Sequence, residues 1–453
     1  MNKRIVILGA GESGTGAALL AKAKGYDVFV SDQGTIGDAY KAELTNASIP
    51  IEEGKHTEVL ILNADEVVKS PGIPNQAEMV KKIVEKNIPI VSEIEFGSRY
   101  CKGKIIGITG SNGKTTTTSL LYHIMREAGC NVGLGGNIGE SFAKKVIDDP
   151  YQYWVLELSS FQLDHCFQLK PYISVITNIT PDHLDRYEYQ FQNYVNAKFR
   201  IAQAQDNNDY FIVFTDNEPI VSELKKRDIK PSLVEISLTK QPKQGAWFDG
   251  EKLHFKLKED NWTISKEEIS LKGKHNYLNA MVAVLACMEI GLEKEQILKG
   301  LASFNAVEHR MEFVERVKGI NFINDSKATN VDSVFYALES MTNRVILILG
   351  GVDKGNDYSQ IEELVKSKVP TLVCMGKDNH KLVEFFAGKV GQIIETDSIE
   401  AAVRESFEHA KLGDTVLLSP ACASFDLFKN YEDRGKQFKE QVQKLAQKTR
   451  NQN

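Results

Sequence analysis

Gly107-Ile108-Thr109-Gly110-Ser111-Asn112-Gly113-Lys114-Thr115-Thr116 is the stretch that decides the reading of this chain. It follows the apolar run Ile105-Ile106 and precedes a helical pattern over 116–128. Strand, glycine turn, lysine, hydroxyl, helix is the layout of a phosphate loop. Backbone N–H groups at the helix start cradle phosphates, the ammonium of Lys114 reaches the β/γ oxygens, and the Thr115 hydroxyl ligates a divalent cation. The strict GxxxxGK[ST] spacing is not met, because position 108 is Ile. A merely ornamental turn is still disfavoured, since Gly-Lys-Thr-Thr fills the right strand-to-helix slot.

The same strand–turn–helix unit recurs to either side. Towards the N-terminus, Arg4–Leu8 is apolar, Gly9-Ala10-Gly11-Glu12-Ser13-Gly14 is a glycine turn, 17–24 is helical, and 27–31 is a second strand. Asp32 ends that strand, eighteen residues after Gly14. This is a dinucleotide-type fingerprint, with the acid placed to take a hydroxyl or base donor. By itself it barely outweighs a plain βα turn. Towards the C-terminus, 344–349, 371–375 and 415–418 read as strands between charged helical stretches. Alternating strands and helices imply an α/β fold with parallel sheets. The 241–265 region, with Trp247-Phe248 and Trp262 broken by Asp249-Gly250 and Glu259-Asp260-Asn261, reads as a small antiparallel excursion.

A chain of 453 residues predicts about three domains. Two boundaries fall near 91–101 and 304–310. Fifty-five basic residues against 61 acidic ones give a net charge of −6, which argues against a nucleic-acid partner. No run approaches ~18 apolar residues, which excludes a membrane-spanning helix. The N-terminal apolar run stops after four residues at Gly9, too short for a signal peptide. Six cysteines without a CxxC pair fit reduced thiols in a cytoplasmic protein.

Several further polar stretches follow predicted strands, the edge where open α/β sheets bind ligands. Glu157 ends the strand 153–156 and is a candidate metal or water ligand. Thr177-Asn178-Ile179-Thr180-Pro181-Asp182-His183-Leu184-Asp185-Arg186 is too polar for an ordinary turn; a lone His is more often structural, but this context makes His183 a candidate metal ligand or proton handler. Lys198, on the helical stretch 191–204, reads by spacing alone as a solvated lysine. Asn276 and Asn279 open a helix and serve equally well as caps or nucleotide contacts. Asn324–Asn330, Gly350–Gly355 and Ser419–Ser424 complete the set of candidate loops.

Taken together, these motifs resemble those of the Mur ligases of peptidoglycan synthesis, in order and over essentially the whole chain. Thr109–Thr116 is the element shared across the family and with folylpolyglutamate synthases. Gly135-Gly136-Asn137-Ile138-Gly139, Glu157–Leu163 and Leu418–Asp426 look like the members that add glutamate. The resemblance implies three domains: an N-terminal Rossmann-like domain for a UDP substrate (1–94), a central P-loop-type ATPase domain (95–307) and a C-terminal Rossmann-like amino-acid domain (308–453). It implies ATP-dependent amide formation between UDP-N-acetylmuramoyl-L-alanine and D-glutamate, with Mg²⁺, in a cytoplasmic monomer.

Roles follow from the resemblance. Glu12, Ser13, Asp32, Ser70, Gly72, Asn137 and Gln162 would hold the UDP substrate. Gly110, Ser111, Asn112, Gly113, Lys114, Thr115, Thr116, Asn276, Asn279, Arg310 and Asp325 would hold ATP. Thr115, Glu157, His183 and a carbamylated Lys198 would hold Mg²⁺, and Lys114, Glu157, His183 and Lys198 would be catalytic. Lys327, Thr329, Lys354, Ser424 and the main chain at Tyr431 would bind D-glutamate. Asp353 is left without a role, since the acid's place in this motif varies among members. The competing readings are a ligase for another amino acid or a folate, an NAD-binding oxidoreductase built on the N-terminal fingerprint, and a non-catalytic nucleotide switch.

Overall fold

The computed structural model describes residues 2–305 and 308–450. It is an α/β protein with three sheets, distributed over two compact units: Met1–Lys272 with Asn276–Phe304, and Gly273–His275 with Asn305–Asn453. Among the described residues, no helix is long and apolar enough to cross a membrane.

The first unit holds two sheets. In the N-terminal one, β1 (Arg4–Leu8), β2 (Asp27–Asp32), β3 (Ile51–Glu53), β4 (Glu66–Lys69) and β5 (Ile90–Val91) lie in the order β3-β2-β1-β4-β5, all parallel. Ile5, Val6, Ile7 and Leu8 are all buried. A parallel strand covered on both faces needs such an unbroken apolar run.

The central sheet comprises β6 (Lys104–Thr109), β7 (Val132–Gly136), β8 (Tyr153–Glu157), β9 (Ile173–Ile176), β10 (Tyr210–Phe214), β11 (Ser232–Ser237), β12 (Gly245–Phe248), β13 (Lys252–Leu257) and β14 (Asp260–Ser265). Their order is β14-β13-β12-β11-β10-β9-β6-β8-β7. The 241–265 excursion is therefore an extension of the main sheet. Its first strand, β12, pairs parallel with β11, and only the β12–β13 and β13–β14 pairings are antiparallel, so β13 alone runs against the sheet. Gly245 permits the junction: at φ +137°, a Cβ there would lie 1.8 Å from the Glu235 carbonyl oxygen.

The segment joining the two sheets is itself ordered and buried. The expected boundary at 94/95 falls inside the helix Glu93–Ser98. Glu93 accepts from Ser141 Oγ (2.7 Å) and the Ala143 amide (2.6 Å), capping the helix Phe142–Val146. Glu95 accepts from the amides of Phe167, Gln168 and Leu169 at 2.9–3.1 Å. Arg99 grips Glu66 of β4 through two nitrogens at 2.8 and 2.9 Å. One short helix thus fastens both sheets with charge-assisted bonds.

The second unit holds β15 (Glu312–Val317), β16 (Ile320–Asn324), β17 (Val345–Gly350), β18 (Thr371–Met375), β19 (Gln392–Thr396) and β20 (Thr415–Ala421), ordered β15-β16-β20-β17-β18-β19. Only β15 is antiparallel to its neighbour. The helix Tyr431–Arg450 covers one face through Phe438, Val442 and Ala446. The expected boundary at 307/308 adjoins residues 306–307, which lie outside the described residues.

Candidate active site

The phosphate loop adopts the geometry its sequence predicts. Gly113 has φ +83° and precedes the helix Lys114–Glu127, so the first amides of that helix face the loop. Gly110, at φ +147°, lies so close to Thr177 that a Cβ would sit 1.9 Å from its Oγ1. The loop is laced to the strand end after β9. The Ser111 amide donates to the Asn178 carbonyl (2.9 Å), the Asn112 amide to Asn178 Oδ1 (2.9 Å), and Thr177 Oγ1 to the Asn112 carbonyl (2.6 Å). Ser111 Oγ also reaches the Thr180 carbonyl (2.9 Å) and the Tyr194 hydroxyl (3.0 Å). Thr115 and Thr116 are buried at the helix start. Asn279 belongs to this group: its Oδ1 accepts from Thr117 Oγ1 at 3.0 Å, and its Nδ2 donates to Asn276 Oδ1 at 3.3 Å.

Two lysines converge on one oxygen. Lys114 Nζ donates to the Gly110 carbonyl (2.7 Å) and the Ser111 carbonyl (2.8 Å). Lys198 Nζ donates to the same Gly110 carbonyl at 2.7 Å. The solvated lysine expected from spacing is wrong: Lys198 is 1% exposed. Its helix, Phe191–Phe199, packs that face against the phosphate loop, which a single-helix pattern does not reveal. Burial, and next the neighbouring Lys114 charge, push its pKa well below the ordinary lysine value.

Glu157 stands on the adjacent strand, in register with Ile108. It is 1% exposed. Oε1 accepts from Asn137 Nδ2 at 2.9 Å, while Oε2 is buried with no hydrogen-bond partner. An orphaned buried carboxylate oxygen beside a phosphate loop fits a divalent cation. His183 lies further along the 177–186 loop, at φ +53°, with its amide donating to Asp182 Oδ1 (2.9 Å). Its ring meets Phe161 edge-on at 5.0 Å.

The N-terminal candidates gather at the strand ends of the first sheet. Asp32 Oδ2 accepts from the Ala10 amide (2.7 Å) and Oδ1 from the Gly34 amide (2.8 Å), so this acid also shapes the glycine turn. Ser70 Oγ donates to the Gly9 carbonyl at 3.3 Å. Glu12 and Ser13 open the helix Glu12–Ala23, and Glu12 Oε1 accepts from the Ser141 amide at 2.8 Å. Gln162 is buried, and its Oε1 closes a capping box with Ser159. Gly72 lies in the loop after β4 and lends its carbonyl to Arg186.

In the second unit the loops after β16, β17 and β20 meet. Val352 and Ala423 bridge through paired backbone bonds of 2.8 and 3.2 Å, joining the Lys354 and Ser424 loops. Lys327 Nζ lies 5.2 Å from the Tyr431 ring centroid, and the Thr329 amide donates to the Lys327 carbonyl at 2.9 Å. Asp325 is buried, accepts from Ser419 Oγ at 2.8 Å, and has a pKa pushed up to about 6 by burial. Arg310 Nε is buried without a partner.

The sequence reading missed Arg434, fully buried, whose guanidinium binds Ser326 Oγ and the carbonyls of Ser326 and Cys422. Nothing in a polar C-terminal helix marks it. Asp353, left without a role, accepts from the Tyr358 hydroxyl (2.7 Å) and Lys381 Nζ (2.8 Å), which shapes the turn carrying Lys354.

Three family descriptions match this chain in succession: "Mur ligase MurD-like, N-terminal domain" over residues 3–92, "Mur ligase middle domain" over 108–287, and "Mur ligase, glutamate ligase domain" over 309–422. The chain belongs to the Mur ligase family. This Mur ligase is 50% identical over 445 residues to the UDP-N-acetylmuramoylalanine–D-glutamate ligase of Christiangramia forsetii, covering 98% of this chain and 100% of the relative. It is 53% identical over 444 residues to the enzyme of that name from Bacteroides fragilis, with the same coverage. Solved structures share its fold. The MurC ligase of Thermotoga maritima aligns with a TM-score of 0.61 at 18% identity, covering 98% of this chain and 100% of that one. The MurF ligase of Thermotoga maritima, solved with ADP, aligns at 0.62 and 15% identity, covering 93% and 95%.

Proposed function

We propose that this Mur ligase joins D-glutamate to UDP-N-acetylmuramoyl-L-alanine in an ATP-dependent reaction, serving peptidoglycan precursor synthesis. Full-length identity of 50% and above to ligases of that name supports the substrate assignment. The observation that carries the chemistry is the convergence of Lys114 and Lys198 on the Gly110 carbonyl, just past the end of β6, the strand paired with the one that carries the orphaned Glu157 oxygen. The working segments are 1–94 for the UDP substrate, 95–307 for ATP and 308–453 for the amino acid, acting in a cytoplasmic monomer.

The alanyl carboxylate is a poor electrophile. Its oxygen attacks the γ-phosphorus of ATP, ADP leaves, and an acyl phosphate forms. The neutral amine of D-glutamate then adds to the acyl carbon. The tetrahedral intermediate gives up one amine proton, to His183 or to water, and collapses, expelling phosphate and leaving an amide. In the first step two anions must approach, so the loop has to neutralise charge by position and electrostatics. Lys114 and the amides of 110–116 serve that purpose at the β/γ oxygens. Asn276, Asn279, Arg310 and Asp325 complete the nucleotide contacts. Lys327, Thr329, Lys354, Ser424 and the Tyr431 main chain hold the amino acid.

Mg²⁺ would be held by Thr115, Glu157, His183 and a carbamylated Lys198, and when bound supplies positive charge against the phosphate oxygens. The carbamate reading rests on charge. Two ammonium groups on one buried carbonyl repel. Addition of CO₂ to the neutral Lys198 amine, with loss of a proton, converts one of them to an anion that attracts Lys114. The depressed pKa of Lys198 favours the neutral amine this step needs.

The test is phosphate release with ATP, UDP-N-acetylmuramoyl-L-alanine and D-glutamate, omitting each in turn and replacing D-glutamate by L-alanine, L-lysine or L-glutamate. Release that does not require both substrates, or that prefers another amino acid, refutes the assignment.

A further inference from the structure

We infer that Arg186 is a positioning residue that ties the loop proposed to bind the UDP substrate to the loop that carries His183. The inference rests on the assignment of Ser70 and Gly72 to that substrate.

Residues 70–73 follow β4 directly, and all four carbonyls face cations. Arg186 Nη2 donates to the Pro71 carbonyl at 3.1 Å and the Ile73 carbonyl at 3.4 Å, and Nη1 to the Gly72 carbonyl at 3.3 Å. Lys69, 3% exposed, donates to the Ile73 carbonyl at 2.7 Å and the Ser70 carbonyl at 3.5 Å. One backbone bond closes the turn, from the Ile73 amide to the Ser70 carbonyl at 3.1 Å, and Pro71 removes one amide donor. The carbonyls of Pro71, Gly72 and Ile73 are left to the two cations.

The arginine reaches this turn from the central sheet, 113 to 115 positions along the chain from the carbonyls it binds. It lies in the 3₁₀ turn Leu184–Tyr187, which His183 begins. Its guanidinium lies 4.4 Å from the Phe161 ring centroid, and the edge of that ring meets His183. Tyr187 stacks on the same ring and donates to Asp164 Oδ2 at 3.0 Å. Substrate loop, arginine, Phe161 and His183 therefore form one continuous set of contacts. A planar fork can bridge three successive carbonyls and lie flat on an aromatic face; a lysine ammonium can do neither together.

The experiment measures UDP-N-acetylmuramoyl-L-alanine affinity without ATP by calorimetry, and steady-state kinetics for all three substrates, in wild type, Arg186→Ala and Arg186→Lys. For loss of charge-assisted bonds, Arg186→Ala should raise Kd and KM for the UDP substrate about 10- to 100-fold. KM for ATP and for D-glutamate should stay near wild type, and kcat should fall by a smaller factor than KM rises. Arg186→Lys should recover part of the affinity, and millimolar guanidinium should partly rescue Arg186→Ala but not Arg186→Lys. Unchanged UDP-substrate affinity in an Arg186→Ala protein that melts like wild type overturns the inference. An equal loss for all three substrates also overturns it, since that marks general destabilisation. A wild-type protein that does not bind the UDP substrate overturns the functional assignment, and the inference with it.

Discussion

Glu93→Gln isolates one buried charge. Glu93 is 3% exposed and accepts from Ser141 Oγ and the Ala143 amide. Burial is the largest influence on it and pushes its pKa from 4.5 up to about 7, against the lowering effect of those bonds. A raised carboxyl pKa means that the folded state keeps its proton where the unfolded state has lost it. Between about pH 4.5 and 7 the native protein therefore binds more protons, and stability falls as pH rises. The full effect is about 3.5 kcal/mol, at roughly 1.4 kcal/mol per unit. Glutamine keeps the acceptor oxygen and cannot ionise. The variant should match wild type in thermal melting at pH 4.5–5 and exceed it at pH 8, by about 7 °C at roughly 2 °C per kcal/mol for a unit this large. Because Glu93 fastens the N-terminal sheet to the helix Phe142–Val146, the gain should appear in the first unit's transition. A melting difference that is the same at pH 5 and pH 8 would refute the buried-charge argument.

Lys114→Ala should lower kcat by on the order of 10²–10³ or more, as loss of an electrostatic contact in the transition state does, while leaving the melting temperature near wild type; near-normal turnover in a folded variant would remove Lys114 from the site. Lys198→Ala should be inactive and partly rescued by added short-chain carboxylates; an unmodified lysine mass in fully active, Mg²⁺-loaded enzyme would defeat the carbamate reading. Lys381→Met should loosen the Asp353 turn and raise KM for D-glutamate about threefold to tenfold, in line with an exposed charged bond, with KM for ATP unchanged. An unaltered D-glutamate KM would separate that turn from the amino-acid site.

The phosphate loop, the N-terminal glycine turn and the parallel strand runs were legible because local geometry forces their residues. Only glycine suits φ +83° at Gly113, and only continuous apolar runs survive in a parallel strand buried on both faces. The same locality placed Glu157, His183 and the 324–330, 350–355 and 419–424 loops at strand ends. What local sequence could not carry was long-range partnership. Lys198 reads as a surface lysine on its own helix and is buried because that face packs on a loop 88 residues earlier. Glu93, Glu95 and Arg434 look like ordinary polar residues, yet each is buried on backbone groups distant in sequence. Arg186 was visible only as part of a polar cluster; its hold on the 71–73 carbonyls exists only once two sheets are fastened together. Chain-local sterics and hydrophobic period thus determined the elements and their glycine turns. Tertiary packing decided which charges lost their water, and with that which side chains have altered proton affinity and which hold a loop in place.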